Sequence, residues 1–234
     1  MRTPRFPHPS RLLSVSTTRR MALTGPAAMA AMGSGRVAAQ ADSSGSQPGI
    51  ALPGENTIEF VAAIQQRGPT VQIAGYVTTL GGVPGSLLFD GAHPLQRSET
   101  TARVGITGTG VSTARSQIGN LVVVNLAGTV QLVLLNAGAT FDDLTSFAAG
   151  TTLTTARITF QNVITTHPPV SAITSGSGAM EIESTDPFIL DGEPFVIGEP
   201  GLRYRLTLTG EVAMEDPAIQ ETTMFVVGNG VIAR

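Results

Sequence analysis

From Asn56 onward, apolar and polar positions alternate with a period of two, and β-branched residues and turn punctuation recur along the chain. In residues 57–65, Ile58, Phe60, Ala62 and Ile64 face one way, while Glu59 shares the opposite face with Val61 and Ala63. Arg67-Gly68-Pro69 turns the chain, and Val71, Ile73, Gly75 and Val77 then alternate with Gln72, Ala74, Tyr76 and Thr78. The first two strands therefore read as a hairpin. Gly81-Gly82-Val83-Pro84-Gly85 breaks the pattern before a short apolar run, Leu87-Leu88-Phe89. Further strands are predicted at 100–107, 111–117, 121–135, 152–165, 178–184, 188–190 with 195–197, 203–214 and 222–232.

The run 121–135 carries aliphatic residues on both faces, which also suits a buried helix. Its five valines, Gly128 and Thr129 favour one long strand or a bent pair. A single helical turn is expected at 141–148, with Asp142 and Asp143 available to cap it. Nothing alternates strand with helix as a parallel sheet requires. Eight to ten antiparallel strands need protected edges, and closing the sheet into a barrel protects them all. Gly75, Gly105, Gly128 and Gly210 supply the local kinks that closure needs. The expected fold is an all-β antiparallel barrel over residues 56–234, with a β-sandwich as the alternative.

Composition divides the chain. It has 234 residues, a formal net charge of −3, no Cys, and no lysine among its 14 basic residues. Residues 1–41 hold six of those arginines and no acid; the remainder sets eight arginines against 17 acids, a net charge of −9. So acidic a body disfavours the phosphate-neutralising surface of a nucleic-acid binder and adsorption to anionic lipid. The absence of Cys excludes a disulfide framework, a thiolate nucleophile and Cys-ligated metal.

The basic segment reads as an address. Thr18-Arg19-Arg20-Met21-Ala22-Leu23 resembles a twin-arginine export signal, with Ala22 and Thr24 in place of the usual Phe and Lys. The mildly apolar stretch that follows is too weak to anchor in a bilayer, and Ala39-Gln40-Ala41 fits small-x-small cleavage. Cleavage after Ala41 would leave Asp42 at the mature N-terminus, followed by a Gly/Pro/Ser linker over 42–55. The partners this implies are the twin-arginine machinery and a signal peptidase. The destination is periplasmic or extracellular, without stable membrane insertion.

Candidate chemistry is sparse. His93 and His167 each precede proline, which favours extended loop conformations, and neither has a neighbouring carboxylate in sequence. No phosphate-cradling loop, nucleophile elbow or Ca²⁺ loop is present, so neither a metal nor a cofactor is expected. The acids are less easily set aside, because ten of the 17 lie between Glu181 and Glu221. Glu181 and Glu183 share one strand face, and Arg203 and Arg205 share another. If those strands pair, the four form a cross-strand ladder. A lumen-facing version of that ladder, with Tyr204 near the mouth and Arg103 and Arg157 pointing inward, would instead be a polar-ligand site.

Ile64-Gln65-Gln66-x-Gly68, Gly75-Tyr76-Val77-Thr78, Phe141-Asp142-Asp143, Arg157-x-Thr159-Phe160-Gln161-Asn162-Val163 and the run 201–211 resemble a group of exported, uncharacterised bacterial β-rich proteins. That resemblance implies fold and location and no mechanism. The architecture is also distantly similar to dirigent and allene oxide cyclase barrels, whose walls shape a reactive ligand; a shared fold does not carry function. Three functions follow as expectations: a secreted barrel binding a small apolar or amphipathic ligand, a cofactor-free cyclase or isomerase, or a structural or interaction protein of the envelope.

Overall fold

The structure, a computed structural model, describes residues 56–91, 93–167, 171–214 and 221–233. The expected signal peptide (Arg19, Arg20, Ala39 and Ala41 included) and the linker lie outside the described residues. Among the described residues ten strands follow one another: β1 (Asn56–Arg67), β2 (Thr70–Leu80), β3 (Val104–Ile118), β4 (Leu121–Leu135), β5 (Gly150–His167), β6 (Ser171–Thr185), β7 (Phe188–Leu190), β8 (Glu193–Phe195), β9 (Arg203–Met214) and β10 (Glu221–Ile232). Eight close into a barrel in the order β1-β10-β9-β6-β5-β4-β3-β2, every pair antiparallel. β7 and β8 form a separate small hairpin between β6 and β9.

Alternation along each strand fills the interior. Ile58, Ala62 and Ile64 of β1, Val122, Val124, Leu126 and Leu132 of β4, and Ile158 and Phe160 of β5 are buried. β4 is a single strand over the run whose two apolar faces were ambiguous in sequence. Its outward Leu135 is covered by the β4–β5 connection, where Phe147 is fully buried beside Ala74 and Ala139 outside the barrel wall. Two phenylalanine rings of the lumen press against glycines of the neighbouring strand. Phe60 stands opposite Gly228, and Phe160 opposite Gly178. A Cβ at either glycine would fall inside the facing ring's contact distance, so only glycine fits.

The two ends differ. At one, short turns join β1 to β2 through Gly68 and β3 to β4 through Gly119, both at positive φ. At the other, the β2–β3 and β6–β9 connections fold inward as a cap, and Leu88, Phe89, Ala102, Phe188, Leu190, Phe195 and Ile197 join the main core, while residues 136–149 pack on the outer wall. The β7–β8 hairpin within that cap turns on Asp191 (φ 49°) and Gly192 (φ 89°), the two-residue Asp-Gly turn whose twist matches the flanking strands.

Two local expectations are corrected. The strands expected at 100–107 and 111–117 are one strand, β3, because Gly108 and Gly110 keep the inward alternation opposite Val130 and Gly128. The partner of β7 is Glu193–Phe195 and not 195–197, since the tight turn sets Leu190 against Glu193. The single turn near 141–148 is a 3₁₀ turn, Leu144–Ala148; the Asp143 side chain accepts from the Thr145 backbone N–H.

Candidate ligand site in the barrel lumen

Eight strands enclose an interior just wide enough for side chains or for one small ligand. Here the side chains leave a gap. A cavity of about 70 Å³ runs inside the barrel between Ile58 and Ile64 of β1, Ile106 of β3, Leu126 and Leu132 of β4, Met180 of β6, and Leu206 and Leu208 of β9, with Phe60 and Phe160 among its walls. Its lining is aliphatic and aromatic with a single exception, Asn162.

Asn162 reaches the lumen because β5 alternates without interruption from Ile158 through Phe160 to Ile164. It stands opposite Val124 of β4 and Gly176 of β6. It is 2% exposed, and its Oδ1 has no hydrogen-bond partner among the described residues. Leaving a buried polar group unpaired costs about 1–3 kcal/mol. On the next lumen-facing step of β6 toward the turn end, Thr174 is fully buried with an unpartnered Oγ1. Asn162 and Thr174 therefore occupy diagonal cross-strand positions on one wall of the interior.

The residues singled out from the sequence lie elsewhere. Arg157, Glu181 and Arg203 are in cross-strand register on β5, β6 and β9, on the outer face of the barrel. Glu181 bridges the two guanidiniums, at 3.5 Å from Arg157 and 3.0 Å from Arg203, and Glu183 adds a second contact to Arg157 at 3.5 Å. Such solvent-exposed pairs contribute roughly 0.2–1 kcal/mol each. Arg205 stands opposite Ala179, exposed on the same outer face. Arg103 belongs to the cap, where it reaches Asp191 at 2.8 Å and Asp90 at 3.6 Å and so ties the β7–β8 turn to the β2–β3 connection.

Tyr204 does face inward, opposite Met180 and Ile232 near the cap, but it does not line the cavity. Burial pushes its phenol up to about 12, so it stays neutral and offers no base at ordinary pH. His93 is exposed, and its Nδ1 accepts from the Leu95 N–H at 3.4 Å to cap a short 3₁₀ turn. Among the described residues, no three His, Asp or Glu side chains come together as a metal site would require. Asn162 and Thr174 were missed by the search for charged and nucleophilic groups. The signal for Asn162 was present nonetheless, as a lone amide on the apolar face of Ile158, Phe160 and Ile164.

Comparison of the chain with protein-family models, with curated proteins and with solved structures returns no match.

Proposed function

We propose that this chain is an exported protein whose barrel holds one small, largely apolar ligand in its lumen. The observation that carries this reading is the cavity of about 70 Å³ inside the barrel, bounded by apolar side chains with Asn162 as its one polar lining residue. A well-packed interior leaves few voids larger than a water, and an apolar void of this kind suits a small apolar molecule. None of the residues lining the cavity titrates, so the walls supply no general acid or base. The geometry thus supports holding a ligand over cyclase or isomerase chemistry by proton transfer. Export rests on Arg19-Arg20 and the Ala39-Gln40-Ala41 site, and N-terminal sequencing of protein from its host should begin at Asp42.

Native mass spectrometry of protein purified from its own host tests the ligand. A bound small molecule is expected, and it should be lost in Val130→Leu, which pushes one more carbon into the cavity. A ligand-free spectrum, together with no change in unfolding temperature across a panel of small apolar compounds, would remove this reading.

A further inference from the structure

We propose that the outer face of β6, β9 and β10 is the contact surface of a two-fold dimer, occupied by a second copy of this chain. The proposal is independent of the lumen and of what it holds.

The surface begins as an apolar patch that the barrel leaves uncovered. Ile173, Phe225 and Val227 are 51%, 49% and 54% exposed, and each alternates with buried neighbours along its strand. The register gathers them on one face. Phe225 pairs with Glu211 of β9, Glu211 with Ile173 of β6, and Val227 with Thr209 of β9. Phe141 meets the Phe225 ring edge-on at 5.7 Å and holds it against the wall. Val227 borders two shallow hollows, one shared with Thr207 and Asn229, the other with Ile173 and Phe225. Contiguous exposed apolar surface of this kind marks an interaction site.

Charge names the occupant. Arg205, Thr207, Thr209 and Glu211 follow one another along the exposed side of β9. Arg205 and Glu211 have no hydrogen-bond or ion-pair partner among the described residues. They stand about 20 Å apart along the strand and cannot meet within one barrel. Both are equally distant from Leu208, which pairs with Gly228 of β10 and Gly176 of β6. A two-fold axis crossing the strands at that level lays each β9 antiparallel over its copy. Arg205 then meets the partner's Glu211, and Glu211 the partner's Arg205. The same operation sets Thr207 against the partner's Thr209, Val227 against the partner's Asn229, and Ile173 against the partner's Ala179. Both ion pairs are satisfied at once, and the bulky Ile173 falls on a small residue. Such self-complementarity is what an isologous interface requires. A convex wall about three strands wide and about 20 Å long gives a contact at the low end of stable interface sizes, so the dimer is reversible.

Sedimentation velocity of protein purified from its host tests this. A monomer–dimer equilibrium is expected between about 1 and 500 µM, at about 0.15 M salt to screen repulsion between the two acidic bodies. Val227→Glu, with Ile173→Glu as a second variant should the first perturb the barrel, should weaken association by about tenfold or more with the circular dichroism of the barrel retained. Arg205→Glu and Glu211→Arg should each weaken self-association similarly, because each sets like charges together across the axis. Mixed in equal amounts, these two variants should form a heterodimer, since the mixture restores opposite charges at both contacts. A parent that stays monomeric throughout would overturn the proposal, and NMR contacts from Ile50 or Leu52 to Val227 would then assign the patch to the preceding segment of the same chain. A dimer indifferent to Val227→Glu and Ile173→Glu would place the interface on another face. Failure of the mixed charge variants to associate would overturn the two-fold register.

Discussion

Asn162 stands directly across from Gly176, and the space its amide occupies exists because Gly176 has no side chain. The orphaned acceptor and the glycine are one device: β6 withdraws a side chain so that β5 can present a polar group inside an apolar barrel. Adding a methyl there would drive a Cβ into both Asn162 Oδ1 and the Phe160 ring. Gly176→Ala is therefore expected to cost about 1–3 kcal/mol through overpacking, read as a fall in the denaturation midpoint with an unchanged slope. A variant as stable as the parent would mean that the amide is free to swing away.

Arg103 pins the β7–β8 turn through Asp191. In Arg103→Gln the amides of β7 and β8 should exchange with solvent several-fold faster while those of β4 and β5 keep their protection, because a partly exposed pair contributes only about 1 kcal/mol and that only locally. Hydrogen-exchange mass spectrometry of the two segments reads the contrast directly. Uniform loss of protection across the barrel would show that the cap and barrel unfold together.

The chain has two tyrosines and no tryptophan, which makes an alkaline ultraviolet titration easy to assign. Tyr204 is raised to about 12 by burial, and Tyr76 is raised by burial and, secondarily, by Glu99. A phenol whose folded value lies above its unfolded value favours folding fully below the unfolded value, near 10, and loses that contribution as pH climbs through the folded one. Stability should accordingly fall between pH 10 and about 12, and Tyr204→Phe should flatten that fall. An unchanged slope in Tyr204→Phe would place the alkaline transition at another group.

Glu181 is the carboxylate shared by Arg157 and Arg203 on the outer wall. Glu181→Gln should lower stability by at most about 1 kcal/mol, less in high salt, and leave lumen binding unchanged. A loss of ligand affinity would reveal that the outer ladder communicates with the interior.

The strands were legible where alternation was strict, as along Ile58, Phe60, Ala62 and Ile64, because one face of a barrel wall is buried and the other meets water. Legibility failed where a local signal was outvoted by neighbours. Gly108 and Gly110 read as a break between two strands, yet each sits inward in a continuous β3 whose conformation its pairing with β4 maintains. The ladder residues could be listed from the sequence, but not placed. Whether Glu181 or Met180 faces the lumen depends on closure, since a one-residue change of register exchanges the two faces. The polar site escaped for a different reason. An amide carries no charge to attract notice, and the break that Asn162 makes in the apolar face of Ile158, Phe160 and Ile164 gains meaning once Leu126, Phe160 and Leu208 are seen to surround the same space.

Phe60 and Phe160, each pressed against a glycine of the next strand, give the barrel an internal clock. A ring lying on bare backbone cannot rotate about its axis unless the two strands separate or the lumen briefly swells. That same excursion loosens the wall around anything held in the lumen. Each ring flip therefore reports one such opening, and the flip rates of these two rings set a lower bound on how often the interior opens.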